Sequence, residues 1–173
     1  MMKNSKAREV SLVGIMIAVI VASKIALASL PNIELVSFLI IVFTKKFDRK
    51  VLFVIPAYIL LEALIFSFQL MWFLASLYMW FLLYILVRLF GKTESPLSLA
   101  VLSGLYGLFF GFLSSFPYLF VTTSFNPTAG VKSAIAWWIA GIPFDVLHAV
   151  GNFAIMLVLY LPVKRIFDSV TKK

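Results

Sequence analysis

Long apolar runs, separated by short charged or Pro- and Gly-containing segments, occupy most of the chain. They lie at 10–29, 33–47, 51–68, 70–90, 97–122 and 138–161. A helix needs about 20 apolar residues to cross the hydrocarbon core of a bilayer. The pattern therefore predicts an all-α integral membrane bundle of six transmembrane helices, in a single membrane domain over 1–173. The apolar part of the second run, 33–44, is short, so this helix is expected to be tilted, extended by its flanks or only partly inserted.

Composition supports a lipid environment. Hydrophobic residues make up 63% of the chain and charged residues 13%, whereas soluble domains are roughly 45–50% apolar. A soluble domain or soluble enzyme is therefore excluded. The chain has no cysteine, which also excludes disulfides, thiolate metal sites and cysteine nucleophiles.

Lysine and arginine are concentrated in alternate connecting segments. Cytoplasmic loops are enriched in these residues, and with six crossings most of the 15 fall on one side. That side carries Lys3, Lys6, Arg8, Lys45, Lys46, Arg49, Lys50, Arg88, Lys92, Lys164, Arg165, Lys172 and Lys173. Lys24 lies inside the first run and Lys132 in the 123–136 segment. The asymmetry predicts that both termini are cytoplasmic. Because the basic residues do not form one amphipathic face, the net charge of +8 indicates topology and no nucleic-acid partner is expected.

Gly91-Lys92-Thr93 is similar to the end of a phosphate-binding P-loop. That motif requires a glycine where Leu86 stands, and it follows a strand rather than a membrane helix. We therefore predict no ATPase activity in this chain.

Small residues recur at a spacing of four along the first apolar run. Gly14, Ala18, Ala22 and Ala26 consequently share one face of the helix. Small side chains let a second helix approach closely in lipid. The stripe is expected either to pack against helices of this chain or to dock a separate membrane subunit.

Polar residues inside apolar runs usually face a cavity or a partner, because each is costly in hydrocarbon. They are Lys24, Glu34, Glu62, Asp145, His148 and Asn152. With six crossings, Lys24, Glu34, Glu62 and Asp145 fall in the half of the membrane opposite the basic loops, which predicts an outward-facing polar pocket.

The last run carries Asp145, His148 and Asn152 on one helix face, since they are three and four residues apart. Two interpretations stay open. One is a buried Lys24–Asp145 ion pair with His148 as an interhelical hydrogen bonder. The other is ligand recognition by this face together with aromatic residues such as Trp72, Trp137 or Trp138.

A catalytic role for these residues is the weaker hypothesis. Asp145 could orient His148 as a general base, but no Gly-x-Ser-x-Gly nucleophile turn is present. One histidine with scattered carboxylates makes a poor zinc site. We therefore expect a protein that is not an enzyme, with no cofactor, metal or catalytic residue, and keep an intramembrane enzyme using His148 and Asp145 as an alternative.

The chain resembles the substrate-binding S component of energy-coupling factor (ECF) vitamin transporters along its whole length. The segment 30–37 is similar to the start of the second helix in several such proteins, and 144–152 to part of the sixth. Gly14, Ala18 and Ala22 are similar to the surface that docks the transmembrane T component.

The resemblance implies a prokaryotic plasma-membrane importer, in which the chain captures a vitamin and works with a T component and two ATP-binding subunits. The implied substrate-binding residues are Asn32, Glu34, Glu62, Trp72, Trp137, Asp145, His148 and Asn152, and the segments 68–72 and 123–137 are implied lids. Cobalamin-like compounds, pantothenate, pyridoxine-type vitamins and pyrimidine precursors all remain candidates. A standalone carrier or a structural membrane subunit is a further alternative.

Overall fold

The computed structural model describes residues 2–120 and 127–171, and over these residues the chain is helical without any strand. The α-helices are α1 (Met2–Ala26), α2 (Val36–Phe47), α3 (Val51–Ile65), α4 (Leu70–Phe90), α5 (Pro96–Leu108), α6 (Phe110–Ser114) and α7 (Pro127–Thr171). Short 3₁₀ turns at Asp48–Lys50 and Phe116–Leu119 precede α3 and follow α6.

Within the described residues, three helices are long and apolar enough to cross a membrane, namely α1, α4 and α7. A fourth span results if α5 and the segment Phe110–Leu119, bent by 43° against each other, count as one. The described part of the chain is therefore all-helical, with long apolar helices that fit a membrane-embedded protein. The remaining helices, α2 with 12 residues and α3 with 15, reach only about 18 and 22 Å at 1.5 Å per residue. The count of six crossings stays a prediction.

Helix α2 lies at the centre of the bundle. Its residues Val36–Thr44 are all buried, as expected for a helix that is apolar all round. Because α2 is surrounded by other helices, its length is not set by the thickness of the lipid. Glu34 caps its start by accepting hydrogen bonds from the backbone N–H of Val36 and from Ser37.

Helix α5 packs closely on α7 because glycines remove side chains from the contact. A Cβ added at Gly107 would lie 2.9 Å from the His148 carbonyl oxygen and 3.0 Å from the Ala149 nitrogen. One added at Gly104 would lie 3.3 Å from the Ala149 carbonyl oxygen. Such close approach is the usual role of small residues between membrane helices, and it brings α5 against the polar face of α7.

The predicted fifth span, 97–122, is broken at Phe109. The Gly111 N–H, which would donate to the Gly107 carbonyl in a continuous helix, donates instead to Asp145 Oδ1 at 2.8 Å. A side chain from another helix that enters the hydrogen-bond ladder is a known cause of kinks. The break is therefore a tertiary effect of Asp145.

The last helix begins earlier than the apolar run predicted. It starts at Pro127 rather than near Trp138, and proline is well tolerated in the first turn of a helix. The predicted lid at 123–137 is therefore helical from Pro127 onward, and its residues 123–126 lie outside the described residues. The predicted lid at 68–72 likewise overlaps α4, which begins at Leu70.

Candidate functional site

Three adjoining cavities open at the end of the bundle formed by the α1–α2 and α3–α4 connections. We name them the Lys24, His148 and Asp145 cavities, with volumes of about 230, 250 and 440 Å³ respectively. Trp72, at the start of α4, lines all three. Together they form one region, which we call the Trp72 cleft. The clusters of lysine and arginine in the connections 45–50 and 88–92 lie at the opposite end of the bundle.

The Lys24 cavity contains a partly buried ion pair. Lys24 Nζ donates to Glu62 Oε1, which also accepts a hydrogen bond from the Tyr58 hydroxyl at 3.0 Å. The ammonium lies 5.5 Å from the ring centroid of Phe66 and 5.4 Å from that of Trp72, within cation–π range. Lys24 is thus held by one carboxylate and two aromatic faces.

The interpretation with an ion pair between Lys24 and Asp145 is wrong, because Lys24 pairs with Glu62 instead. The reason is that the helix carrying Lys24 packs against the helix carrying Glu62. Helix α1 packs chiefly on α3, which carries Glu62, whereas Asp145 on α7 contacts α6. The two carboxylates lie in the same half of the bundle, so sequence position did not distinguish them.

The His148 cavity joins the α1–α2 connection to α7. His148 Nε2 lies 3.1 Å from Glu34 Oε1, so the buried imidazole is hydrogen-bonded to the carboxylate that caps α2. The Phe110 ring meets the imidazole edge to face, with centroids 4.5 Å apart. Trp80 also lines this cavity, and its buried Nε1 has no hydrogen-bond partner within the described residues.

The Asp145 cavity lies between α4, α6 and α7. Its walls are Asn32, Trp72, Phe110, Gly111, Ser114, Trp137, Ala140, Gly141, Phe144 and Asp145. Asp145 Oδ1 accepts the Gly111 N–H, while Oδ2 is buried and has no hydrogen-bond partner in the described part of the chain. A Cβ at Gly111 would come within 2.4 Å of Oδ2, so only glycine allows this approach.

Two aromatic residues give the Asp145 cavity a rigid edge. Trp137 stacks on Tyr118 with ring centroids 4.7 Å apart and planes 23° apart. Its Nε1 also lies 3.3 Å from Ser114 Oγ, to which it donates. These contacts fix the indole while leaving 48% of the residue exposed. An exposed, immobilised indole is well suited to contact a ligand.

Seven of the eight residues predicted to bind substrate line the Trp72 cleft. They are Asn32, Glu34, Glu62, Trp72, Trp137, Asp145 and His148. Asn152 lies elsewhere, about one helical turn beyond His148, where its Nδ2 is 3.5 Å from the Ser103 carbonyl oxygen. The geometry brings these residues together, and their role in binding stays a prediction.

Several cleft residues were not predicted from sequence. Tyr58, Phe66, Phe110, Gly111 and Ser114 all contribute contacts to the cleft. The glycines of α5 and α6 could have been predicted to lie at a helix contact, because they recur at spacings of three and four residues. Nothing in the sequence distinguished Phe110 from the other phenylalanines, of which the chain has 18 in all, and only the fold brings it to His148.

The small-residue stripe of α1 faces away from the bundle. Gly14, Ala18 and Ala22 are exposed, and no atom lies within 4 Å of a Cβ built at Gly14. Met16 and Ile20, on the other side of the helix, are buried. The interpretation in which the stripe packs on this chain's own helices is therefore wrong.

A second polar cluster lies at the basic end of the bundle. Glu94 forms ion pairs with Lys164 at 2.9 Å and Lys45 at 3.2 Å, and accepts a hydrogen bond from Tyr160. Although partial burial acts against it, these hydrogen bonds and charges lower the pKa of Glu94 to about 2. The cluster ties α2 and the α4–α5 connection to α7.

The cleft offers groups for binding more readily than for catalysis. His148 and Asp145 line different cavities and are hydrogen-bonded to Glu34 and Gly111. Within the described residues, no three His, Cys, Asp or Glu side chains are grouped closely enough to hold a metal ion.

No family model matches the chain, and neither the curated proteins nor the solved structures contain a match.

Proposed function

We propose that this chain is the substrate-capture S component of an ECF-type importer in a prokaryotic plasma membrane. It binds a vitamin or related micronutrient and works with a T component and two ATP-binding subunits. The proposal is supported by the resemblance of 30–37 and 144–152 to S components, by the Trp72 cleft, and by the small-residue stripe of α1, which faces away from the bundle.

The proposal includes six membrane crossings with both termini in the cytoplasm. Helices α1, α2, α3, α4 and α7 account for five crossings, and α5 with α6 for the sixth. The short α2 crosses inside the bundle, where protein rather than lipid surrounds it. The basic connections then lie in the cytoplasm, and the Trp72 cleft faces outward.

The observation that carries the proposal is the exposure of Gly14, Ala18 and Ala22. A stripe of small side chains in contact with lipid forgoes packing contacts, whereas against another helix it permits close approach of the backbones. The stripe is therefore explained by a partner helix, which the T component would supply.

The same helix connects the docking surface to the cleft. Lys24 lies near the end of α1, two residues beyond Ala22, and its ammonium reaches Glu62 and Trp72 in the cleft. A shift of α1 on docking would consequently move one wall of the Lys24 cavity. This arrangement suits a subunit that captures its ligand alone and releases it in a complex driven by partner ATPases.

Co-purification tests the proposal directly. The chain is expressed with its T component and two ATPases, and affinity-purified in wild-type form and as the double variant Ala18→Phe/Ala22→Phe. We expect the double variant to lose at least 90% of the partner subunits, because the bulky rings prevent close helix contact. Ala154→Phe, at an exposed position of α7, is the matched control and should assemble normally. Normal assembly of the double variant would refute docking through α1.

A further inference from the structure

The Asp145 cavity has the dimensions and walls of a small-molecule site. Its volume of about 440 Å³ lies within the range of roughly 300–1,000 Å³ typical of such sites. The aromatic walls are Trp72, Phe110, Trp137 and Phe144. Among the described residues that line it, Asp145 alone carries a charge. A ligand in this cavity therefore meets flat apolar surfaces and one carboxylate.

The carboxylate of Asp145 is only half satisfied by the protein. Oδ1 accepts the Gly111 N–H, whereas Oδ2 has no partner in the described residues although Asp145 is only 4% exposed. A buried acceptor without a donor is energetically unfavourable. The nearby basic side chains are already engaged, since Lys24 pairs with Glu62 and His148 is hydrogen-bonded to Glu34. The missing donor is thus best supplied by a ligand.

The charge balance of the cleft favours a cationic ligand. Three carboxylates, those of Glu34, Glu62 and Asp145, outnumber the two basic side chains that line the cleft, Lys24 and His148. The cleft is therefore negative, although the chain as a whole carries a net charge of +8. Clefts lined by one sign of charge concentrate ligands of the opposite sign.

We propose that the Asp145 cavity binds a flat heteroaromatic cation that donates an N–H hydrogen bond to Asp145 Oδ2. Its ring lies against the indoles of Trp72 and Trp137, which attract both an aromatic plane and a positive charge. The ligand class is a protonated amino-heteroaromatic compound. This inference names the substrate class of the proposed capture subunit, and its role in import rests on that function.

Three quinoline probes of nearly equal shape test the sign of the charge. They are 4-aminoquinoline, which is a cation at neutral pH, uncharged quinoline, and the anion quinoline-4-carboxylate. Dissociation constants are measured by equilibrium dialysis on the purified full chain in phosphatidylcholine nanodiscs, with empty nanodiscs as background. We expect the cation to bind at least tenfold more tightly than either other probe. Equal or tighter binding of the carboxylate would overturn the proposal.

Asp145→Asn tests whether this carboxylate is responsible. The variant should bind 4-aminoquinoline no more than about twofold more tightly than quinoline, while its affinity for quinoline stays within twofold of wild type, which shows that the cavity is intact. Asp48→Asn, at the basic end, is the matched control and should keep the tenfold preference. A preference that survives Asp145→Asn would overturn the proposal. Should this variant not fold, Trp137→Leu is expected to weaken binding of the cation at least fivefold, and unchanged binding would count against the proposal.

Different results would refute the proposed ligand class and the proposed capture function. Asp145→Asn should co-purify with the T component and ATPases as wild type does. Loss of the expected cation preference in a chain that still assembles would overturn the ligand class alone. A wild-type chain that prefers the cation but never assembles with these partners would refute the importer and leave the binding site standing.

Discussion

The two ends of the bundle use their charged residues differently. At the basic end, Glu94 is shared by Lys45, Lys164 and Tyr160, and the side chain of Glu94 is 57% exposed. In the Trp72 cleft, Glu62 and Asp145 are buried, and Asp145 Oδ2 and Trp80 Nε1 have no partner among the described residues. Saturated, exposed ion pairs serve to join helices, whereas buried groups left without partners indicate a place for a ligand.

The largest effect is expected from the position of the two ends, which should lie on opposite sides of the membrane. The chain lacks cysteine, so single cysteines can be introduced cleanly. Asn32→Cys in the cleft should react with a membrane-impermeant maleimide on intact cells. Lys92→Cys at the basic end should react only after permeabilisation. Labelling of both positions from outside would contradict the six-span topology.

Removing one member of the cleft ion pair should have the largest effect on stability. Lys24→Met leaves Glu62 buried without its cation, which we expect to lower the free energy of unfolding by about 3–5 kcal/mol. The double variant Lys24→Met/Glu62→Met should recover most of that loss. Thermal unfolding in detergent measures both. If the single and double variants were equally unstable, the pair would not be the source of the effect.

The glycine contact that holds α5 against α7 should have the next largest effect. Gly107→Ala places a Cβ 2.9 Å from the His148 carbonyl, and overpacking of this kind costs about 1–3 kcal/mol. Gly141→Ala is the matched control, because nothing lies within 4 Å of its added Cβ. The control should be neutral or slightly stabilising. Equal melting temperatures for both variants would show that α5 does not depend on this close approach.

The basic end should contribute least, and with a defined pH dependence. The pKa of Glu94 is lowered from 4.5 to about 2 in the folded chain, so its ion pairs stabilise the fold above pH 4.5 and lose this effect as pH falls toward 2. Because the side chain is largely exposed, Glu94→Gln should cost at most about 1 kcal/mol at pH 7. Melting curves from pH 7 to 3 should show a smaller pH dependence for the variant than for wild type.

Some features of the bundle could be predicted from the sequence. The apolar run at 70–90 coincides with the bounds of α4, Leu70–Phe90, because a helix facing both lipid and core is set by hydropathy alone. The spacing of Asp145 and His148 predicted that they share one face of the last helix, and both side chains are buried in α7. These are local properties of one helix.

Features that depend on neighbouring helices could not be predicted from the sequence. The break at Phe109 arises from the Asp145 carboxylate on α7, and the partner of Lys24 is decided by the packing of α1 on α3. The direction of the α1 stripe likewise required the fold, since spacing shows that Gly14, Ala18 and Ala22 share a face but not which way it points.

Native mass spectrometry of the co-expressed assembly measures both its subunit composition and any bound small molecule. We predict a complex of one copy of this chain, one T component and two ATP-binding subunits, together with a free chain that retains a bound small molecule. The double variant Ala18→Phe/Ala22→Phe should appear only as the free, ligand-bound chain. A wild-type chain found only by itself, or a double variant that assembles as wild type does, would contradict a capture subunit that docks through α1.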